Sequence, residues 1–197
     1  LMLLTLSYTA LGYFEYIFFY WTTHYFREIR HLSREETALY ATLPNLAMML
    51  FTPIGGLISD RLVQSYGYRR GRRIVPIVGM ILSATCLFIA ANISHIGVMI
   101  TAFSLAQGFA GATEGPFWAT AFQLGRRQGG TAGGVVNTGG NAGGFLAPIV
   151  TPWISGLMHS WRWGLNLGSF VCLAGVAAWF FIDPEESQDL DPSGQNQ

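Results

Sequence analysis

The sequence has no lysine and little charge of any kind. Every basic residue other than histidine is arginine, and Asp, Glu, Lys and Arg make up 11% of the 197 residues, against roughly 25% in soluble domains. Eleven acids balance eleven arginines, which leaves no basic face for a nucleic-acid partner. Two cysteines, Cys86 and Cys172, both inside apolar runs, exclude a disulfide framework and read as small buried hydrophobes. No His/Cys/Asp/Glu spacing fits a metal site, and no cofactor is implied. Neither an initiator methionine nor a basic n-region precedes the first apolar run, so no signal peptide is read. The expectation is a segment cut from a longer polypeptide.

Hydrophobic length is abundant. Apolar residues reach 51% and aromatics 14%, and mean hydropathy is +0.36. Glu15 and Glu114 apart, the charges cluster between long apolar runs, so no helix or strand has a solvated face. Six runs, 1–25, 37–59, 74–92, 96–122, 131–157 and 161–182, are each long enough for a hydrocarbon core of about 30 Å. The fold class expected is therefore all-α and polytopic. Its six transmembrane helices are joined by short connections and run antiparallel to their sequence neighbours. Segments of alternating hydropathy, as in a β-barrel, are missing. Seven arginines lie in the second and fourth connections and four in the first and fifth. Under the positive-inside rule the former pair, and both ends of the chain, face the cytoplasm. Residues 183–197 read as an acidic, disordered cytoplasmic tail beside a membrane domain at 1–182.

Polar residues inside the apolar runs are the candidates for function. A carboxylate at mid-span costs roughly 2.5–3.5 kcal/mol. Glu15 is thus expected to face the interior, find a donor or carry a proton, either as a cavity residue or as a buried helix contact. Tyr13, Tyr16, Tyr20 and His24 recur at helical spacing as a cavity stripe or a packing stripe. Asn137 and Asn141, spaced i, i+4 on the glycine-rich fifth run, suit the hydroxyls and carboxylates of a sugar acid, or serve as hydrogen-bond links between helices. Glu114 precedes Gly115-Pro116, where the fourth helix is expected to bend. It reads as a gating or helix-terminus group, because a carboxylate repels an anionic substrate. Twenty-four glycines include the pairs Gly129/Gly133, Gly130/Gly134, Gly139/Gly143 and Gly140/Gly144, the small-xxx-small pattern of close helix packing.

Two longer matches are specific. Gly56, Leu57, Asp60 and Arg61, followed by Arg72 and Arg73, resemble the motif between the second and third helices of each half of the major facilitator superfamily. Gly56 would permit close helix contact. Asp60 at a helix end would pair with arginines in a contact that breaks when the carrier changes state. The alternative is a charge cluster that only fixes topology. The stretch Gly115-Pro116-Phe117-Trp118-Ala119 and the run 130–144, with Gly-Thr-Ala-Gly-Gly and Asn-Thr-Gly-Gly-Asn-Ala-Gly-Gly, resemble helices ten and eleven of its anion:cation symporter family. That family includes carriers of hexuronate, galactonate, phthalate and sialic acid. The run from His31 to Leu43-Pro44 resembles its external connection and eighth helix.

The resemblance reaches nearly to Ile182. It implies one half of a major facilitator fold, with alternating-access symport of an organic anion and H+ or Na+ at a site between two halves. It also implies a cavity role for Trp118, a missing N-terminal half bearing the main coupling residues, and a bacterial inner-membrane location. On this reading the chain is inactive alone and is not an enzyme. A stand-alone six-helix protein that dimerises is the alternative. An intramembrane protease would need a Gly-x-Ser-x-Gly-like turn that no run contains, and no selectivity-filter signature points to a channel.

Overall fold

The computed structural model describes residues 1–184. It contains six α-helices and, among the described residues, no strand. These are α1 (Met2–His24), α2 (Arg34–Tyr66), α3 (Tyr68–Asn92), α4 (Ile96–Gly125), α5 (Gly129–Leu157) and α6 (Trp161–Trp179). A π-helical turn, Tyr25–Ile29, extends α1, and a 3-10 turn, Arg126–Gln128, joins α4 to α5. Four continuous helical stretches are long and apolar enough to cross a membrane: Met2–Ile29, Arg34–Tyr66, Tyr68–Asn92 and Ile96–Leu157. The last, of 62 residues, is the α4–α5 hairpin; α6 is not among the four.

Several helices outrun the apolar segments, because a helix continues on backbone hydrogen bonds after hydropathy falls. α2 starts at a capping box: the Ser33 hydroxyl accepts from Glu36 N (3.2 Å), and Ser33 N donates to the Glu36 carboxylate (2.9 Å). It ends at Gly67, whose φ of +79° favours glycine and lets α3 begin at Tyr68. Six prolines lie inside helices, yet none terminates one. At Pro116, where a bend is expected, α4 is not interrupted and runs on to Gly125. Pro116 deprives the Ala112 carbonyl of its helical donor. There α2 comes so close that a Cβ on Gly55 would collide with that oxygen, which therefore faces a Gly55 Cα–H.

Antiparallel direction between sequential helices holds, but sequence neighbours are not the main packing partners. The most extensive contacts are α1 with α5 and α2 with α4, both parallel pairs. Next come α3 with α4, α3 with α6 and α1 with α6. Exchanging α1 with α4, α2 with α5 and α3 with α6 leaves this neighbour pattern unchanged. The bundle is an inverted pair of three-helix units about a pseudo-twofold axis.

Glycine sets both parallel seams. A Cβ on Gly12 would run into the Gly140 carbonyl, and one on Gly143 into the Thr9 carbonyl. Gly139 and Gly140 seat Thr5 and Tyr8, and Gly144 seats the Tyr16 ring. Gly130 and Gly134 face open space, so one of the four expected small-residue pairs does not pack. Gly56 is also corrected. The residue pressed into α4 is Gly55, while the Cβ direction of Gly56 is open and its backbone Cα and N are approached by Gly115. Cys86 is half-buried and Cys172 buried, both as free thiols. Of the expected tail, residues 185–197 lie outside the described residues; Asp183 forms an ion pair with Arg69 (2.9 Å).

Candidate functional site

α1 presents its polar residues on different faces. Tyr8, Leu11, Glu15 and Phe18 follow one another at three- and four-residue steps, all buried and turned inward. Tyr13 points elsewhere, to the α5 seam, where its hydroxyl and that of Thr151 share a buried hydrogen bond of 3.0 Å. Tyr16 lies half-buried and donates to the Asn141 amide oxygen (3.1 Å). Tyr20 is exposed, and His24 packs against Trp21 and Trp161, with ring centroids 5.5 and 4.9 Å away. The expected tyrosine stripe therefore does not line one cavity. Tyr13 in particular is a buried seam residue, tied to α5 through Thr151.

The inner polar cluster joins α1 to α4. One oxygen of Glu114, Oε2, accepts from the Tyr8 hydroxyl (2.9 Å) and from Trp118 Nε1 (2.8 Å). The Tyr8 ring lies against Phe117 (5.1 Å) and edge-on to Trp118 (5.7 Å), which fixes all three rings. Trp118 is thus tied to its own helix one turn back and is partly buried. Glu15 is 7% exposed, and its Oε1 has no hydrogen-bond partner; Glu114 Oε1 is also buried and unpaired. The two carboxyls are near enough to interact electrostatically.

A second polar face is open. Asn137 and Asn141 lie one turn apart on the exposed side of α5, and the Asn141 amide donates to the Asn137 carbonyl (2.9 Å). Together with Tyr16 and the accessible edge of Trp118 they form a neutral strip of donors and acceptors along the α1–α5–α4 side.

The third feature is the α2–α3 turn. Arg72 is buried, and its Nη1 donates to Asp60 (2.9 Å) and Ser59 (3.1 Å), while its guanidinium lies 5.1 Å from the Tyr68 ring centroid. Asp60 is the exposed member, at 62%. Arg61 is exposed, and Arg73 is half-buried with Nε unpaired. The motif residues thus divide: Asp60 and Arg72 meet, whereas Arg61 and Arg73 stay outside that contact. Sequence reading missed Tyr8, Ser59, Tyr68 and Thr151. Tyr8 had a usable signal, two helical turns before Glu15 on the same face; Thr151 had none, because its partner depends on how α1 meets α5.

A family profile described as the Major Facilitator Superfamily matches residues 3–196. Among curated proteins, the chain is 27% identical over 176 residues to the probable sulfoacetate transporter SauU of Cupriavidus necator, covering 88% of this chain and 40% of that protein. It is 31% identical over 170 residues to the probable galactarate/D-glucarate transporter GudP of Escherichia coli, covering 85% and 37%. It is 25% identical over 178 residues to vesicular glutamate transporter 1 of Xenopus laevis, covering 84% and 31%. The chain spans two-fifths or less of the length of these relatives. A match along nearly the whole sequence, carried by an all-helical bundle of inverted three-helix units, means that this chain belongs to the major facilitator superfamily.

Proposed function

We propose that this chain is the C-terminal six-helix half of a secondary carrier that moves an organic anion by cation-coupled alternating access. Each of the six helices crosses the bilayer, and residues 1–182 form the half-bundle. The second and fourth connections and both ends lie in the cytoplasm, and the membrane is a bacterial inner membrane. A partner half of six helices faces α1, α2, α4 and α5 and completes the central cleft.

One observation carries this reading. Along the α1–α5 side, Tyr16, Asn141 and Asn137 form an accessible strip with a 3.1 Å hydrogen bond already in place. Amides and phenols can bind the hydroxyls and carboxylates of a dicarboxylic sugar acid without a full charge. Trp118 supplies an apolar wall beside them. Asn137, Asn141 and Trp118 are the substrate contacts in this reading; Tyr13 and Glu15 act from behind them. The Asp60–Arg72–Ser59 contact, with Gly56, Arg61 and Arg73 around it, holds the cytoplasmic ends of α2 and α3 together in one state and opens in the other. Glu114 belongs to the same conformational set, because it ties α1 to α4.

The test is flux through the complete carrier in liposomes. Labelled galactarate, glucarate and sulfoacetate are the probes, since relatives named for those anions align here. An inward proton or sodium gradient should drive accumulation of at least one of them. Asn141→Ala and Trp118→Ala should each raise the concentration for half-maximal uptake several-fold, and this chain alone should move none. Absence of both uptake and exchange for all three anions overturns the reading.

A further inference from the structure

The two glutamates of the bundle interior occupy equivalent places. Each stands one turn after a glycine, in Gly12-Tyr13-Phe14-Glu15 on α1 and in Gly111-Ala112-Thr113-Glu114 on α4. Both glycines lie in the parallel seams. Gly12 meets the Gly140 backbone of α5, and a Cβ on Gly111 would come within 3.0 Å of the Met48 carbonyl of α2. The pseudo-twofold that exchanges α1 with α4 therefore exchanges Glu15 with Glu114 and brings both toward the axis.

The repeat is broken in its chemistry. Glu114 Oε2 receives two strong donors, Tyr8 OH and Trp118 Nε1. Glu15 Oε1, on a side chain 7% exposed, receives none. The residue on α4 that corresponds to Tyr8, two turns before its glutamate, is Gln107. It turns its amide nitrogen to the Met48 sulfur (3.3 Å) and leaves its own oxygen unpaired, so it gives Glu15 nothing. The titratable groups around Glu15 are Tyr8 on its own helix, Glu114 on α4 and Cys172 on α6. α5 contains no titratable residue at all. Two bare carboxylates in this setting would repel each other with no cation between them. A metal cation would need several oxygen ligands at once, and a phenol, a thiol and an already engaged carboxyl do not supply them.

We propose that Glu15 and Glu114 together bind a single proton at the pseudo-twofold axis, with Glu15 carrying it and Glu114 kept as the anion by Tyr8 and Trp118. This gives the C-terminal half its own coupling-ion site, and in that respect it rests on the carrier reading. The proton is taken from and returned to water through the cleft beside Trp118, with no other bond made or broken. Because Trp118 also borders the substrate strip, a substrate that displaces its indole removes a donor from Glu114. The shared proton then shifts toward Glu114, which links anion binding to protonation.

The experiment uses the complete carrier in lipid and two readouts. Infrared difference spectra between wild type and Glu15→Gln at neutral pH should show a protonated-carboxyl band lost in the variant; Tyr8→Phe should shift that band. Glu15→Gln, which keeps the shape of the protonated side chain, should lose accumulation driven by a proton gradient. A wild type with no such band, or Glu15→Gln with undiminished proton-driven accumulation, overturns the proposal. If Glu15→Gln fails to fold, Glu114→Gln is the second variant: loss of the band's response to galactarate supports the proposal, and an unchanged response overturns it. A band that behaves as expected in a protein that exchanges none of the probe anions leaves the proton site standing and removes the carrier reading instead.

Discussion

Replacing one hydrogen by a methyl group should have opposite signs at two glycines nine residues apart on α5. At Gly143 the added carbon would overlap the Thr9 carbonyl oxygen and lie 2.9 Å from the Thr9 carbonyl carbon and the Tyr13 nitrogen. Carbon needs about 3.5–4.0 Å from such atoms, so α1 and α5 must part by roughly 1 Å along a seam of interlocked side chains. Both obstructions are backbone, and neither can rotate away. Overpacking of this kind costs about 1–3 kcal/mol, against which alanine recovers about 1 kcal/mol of helix propensity. The net is a loss of up to about 2 kcal/mol. At Gly134 nothing lies within 4 Å, and only the propensity gain of about 1 kcal/mol remains. For a chain of this size 1 kcal/mol moves the midpoint by roughly 2–4 °C. Thermal unfolding of this chain in detergent, followed by tryptophan fluorescence, should rank Gly134→Ala above wild type and wild type above Gly143→Ala. Equal midpoints for the two variants, or Gly143→Ala as the more stable, would refute the α1–α5 seam described above.

Two further substitutions test the polar contacts. Arg72→Ala removes a buried donor from Ser59, the exposed contact to Asp60 and the stacking on Tyr68, together about 2 kcal/mol, whereas Asp60→Asn should cost under about 1 kcal/mol because Asp60 is largely solvated. Chemical or thermal unfolding checks this, and equal costs would show that the Asp60 pair, not the burial of Arg72, holds the turn. Tyr8→Phe and Trp118→Phe each take one donor from the same oxygen of Glu114, so their effects on stability should not add; a double-mutant cycle with a coupling near zero would contradict the shared acceptor.

Hydropathy made the helices legible because each one needs an apolar length, and that property is local. The partners were not legible in the same way. α1 packs on α5 and α2 on α4 through glycine contacts to backbone carbonyls, and a sequence does not say which glycine meets which carbonyl. Gly55 and Gly56 illustrate the limit: either suits the motif, but helix phase turns Gly55 to Ala112 and Gly56 away. Continuity at the prolines was illegible for a related reason. Pro116 takes a donor from α4, and the close approach of α2 offsets the loss, so the helix continues through a residue that would stop it in isolation. Glu15 was expected to be interior and is buried there, whereas Tyr13, two residues before it, faces a different neighbour. Their separation follows from about 200° of helical rotation, which spacing alone supplies. The Tyr8–Glu114–Trp118 cluster required knowing that α1 meets α4, which the inverted repeat decides.

The central claim is that the chain threads a bilayer repeatedly, and sidedness of labelling tests it most directly. In a variant with Cys86 and Cys172 replaced, single cysteines are placed at exposed Ser65, Ser94, Arg127 and His159 in successive connections. An impermeant thiol reagent applied to sealed, oriented vesicles should reach Ser65→Cys and Arg127→Cys from the cytoplasmic face only, and Ser94→Cys and His159→Cys from the opposite face only. Labelling of all four from one face would contradict the account.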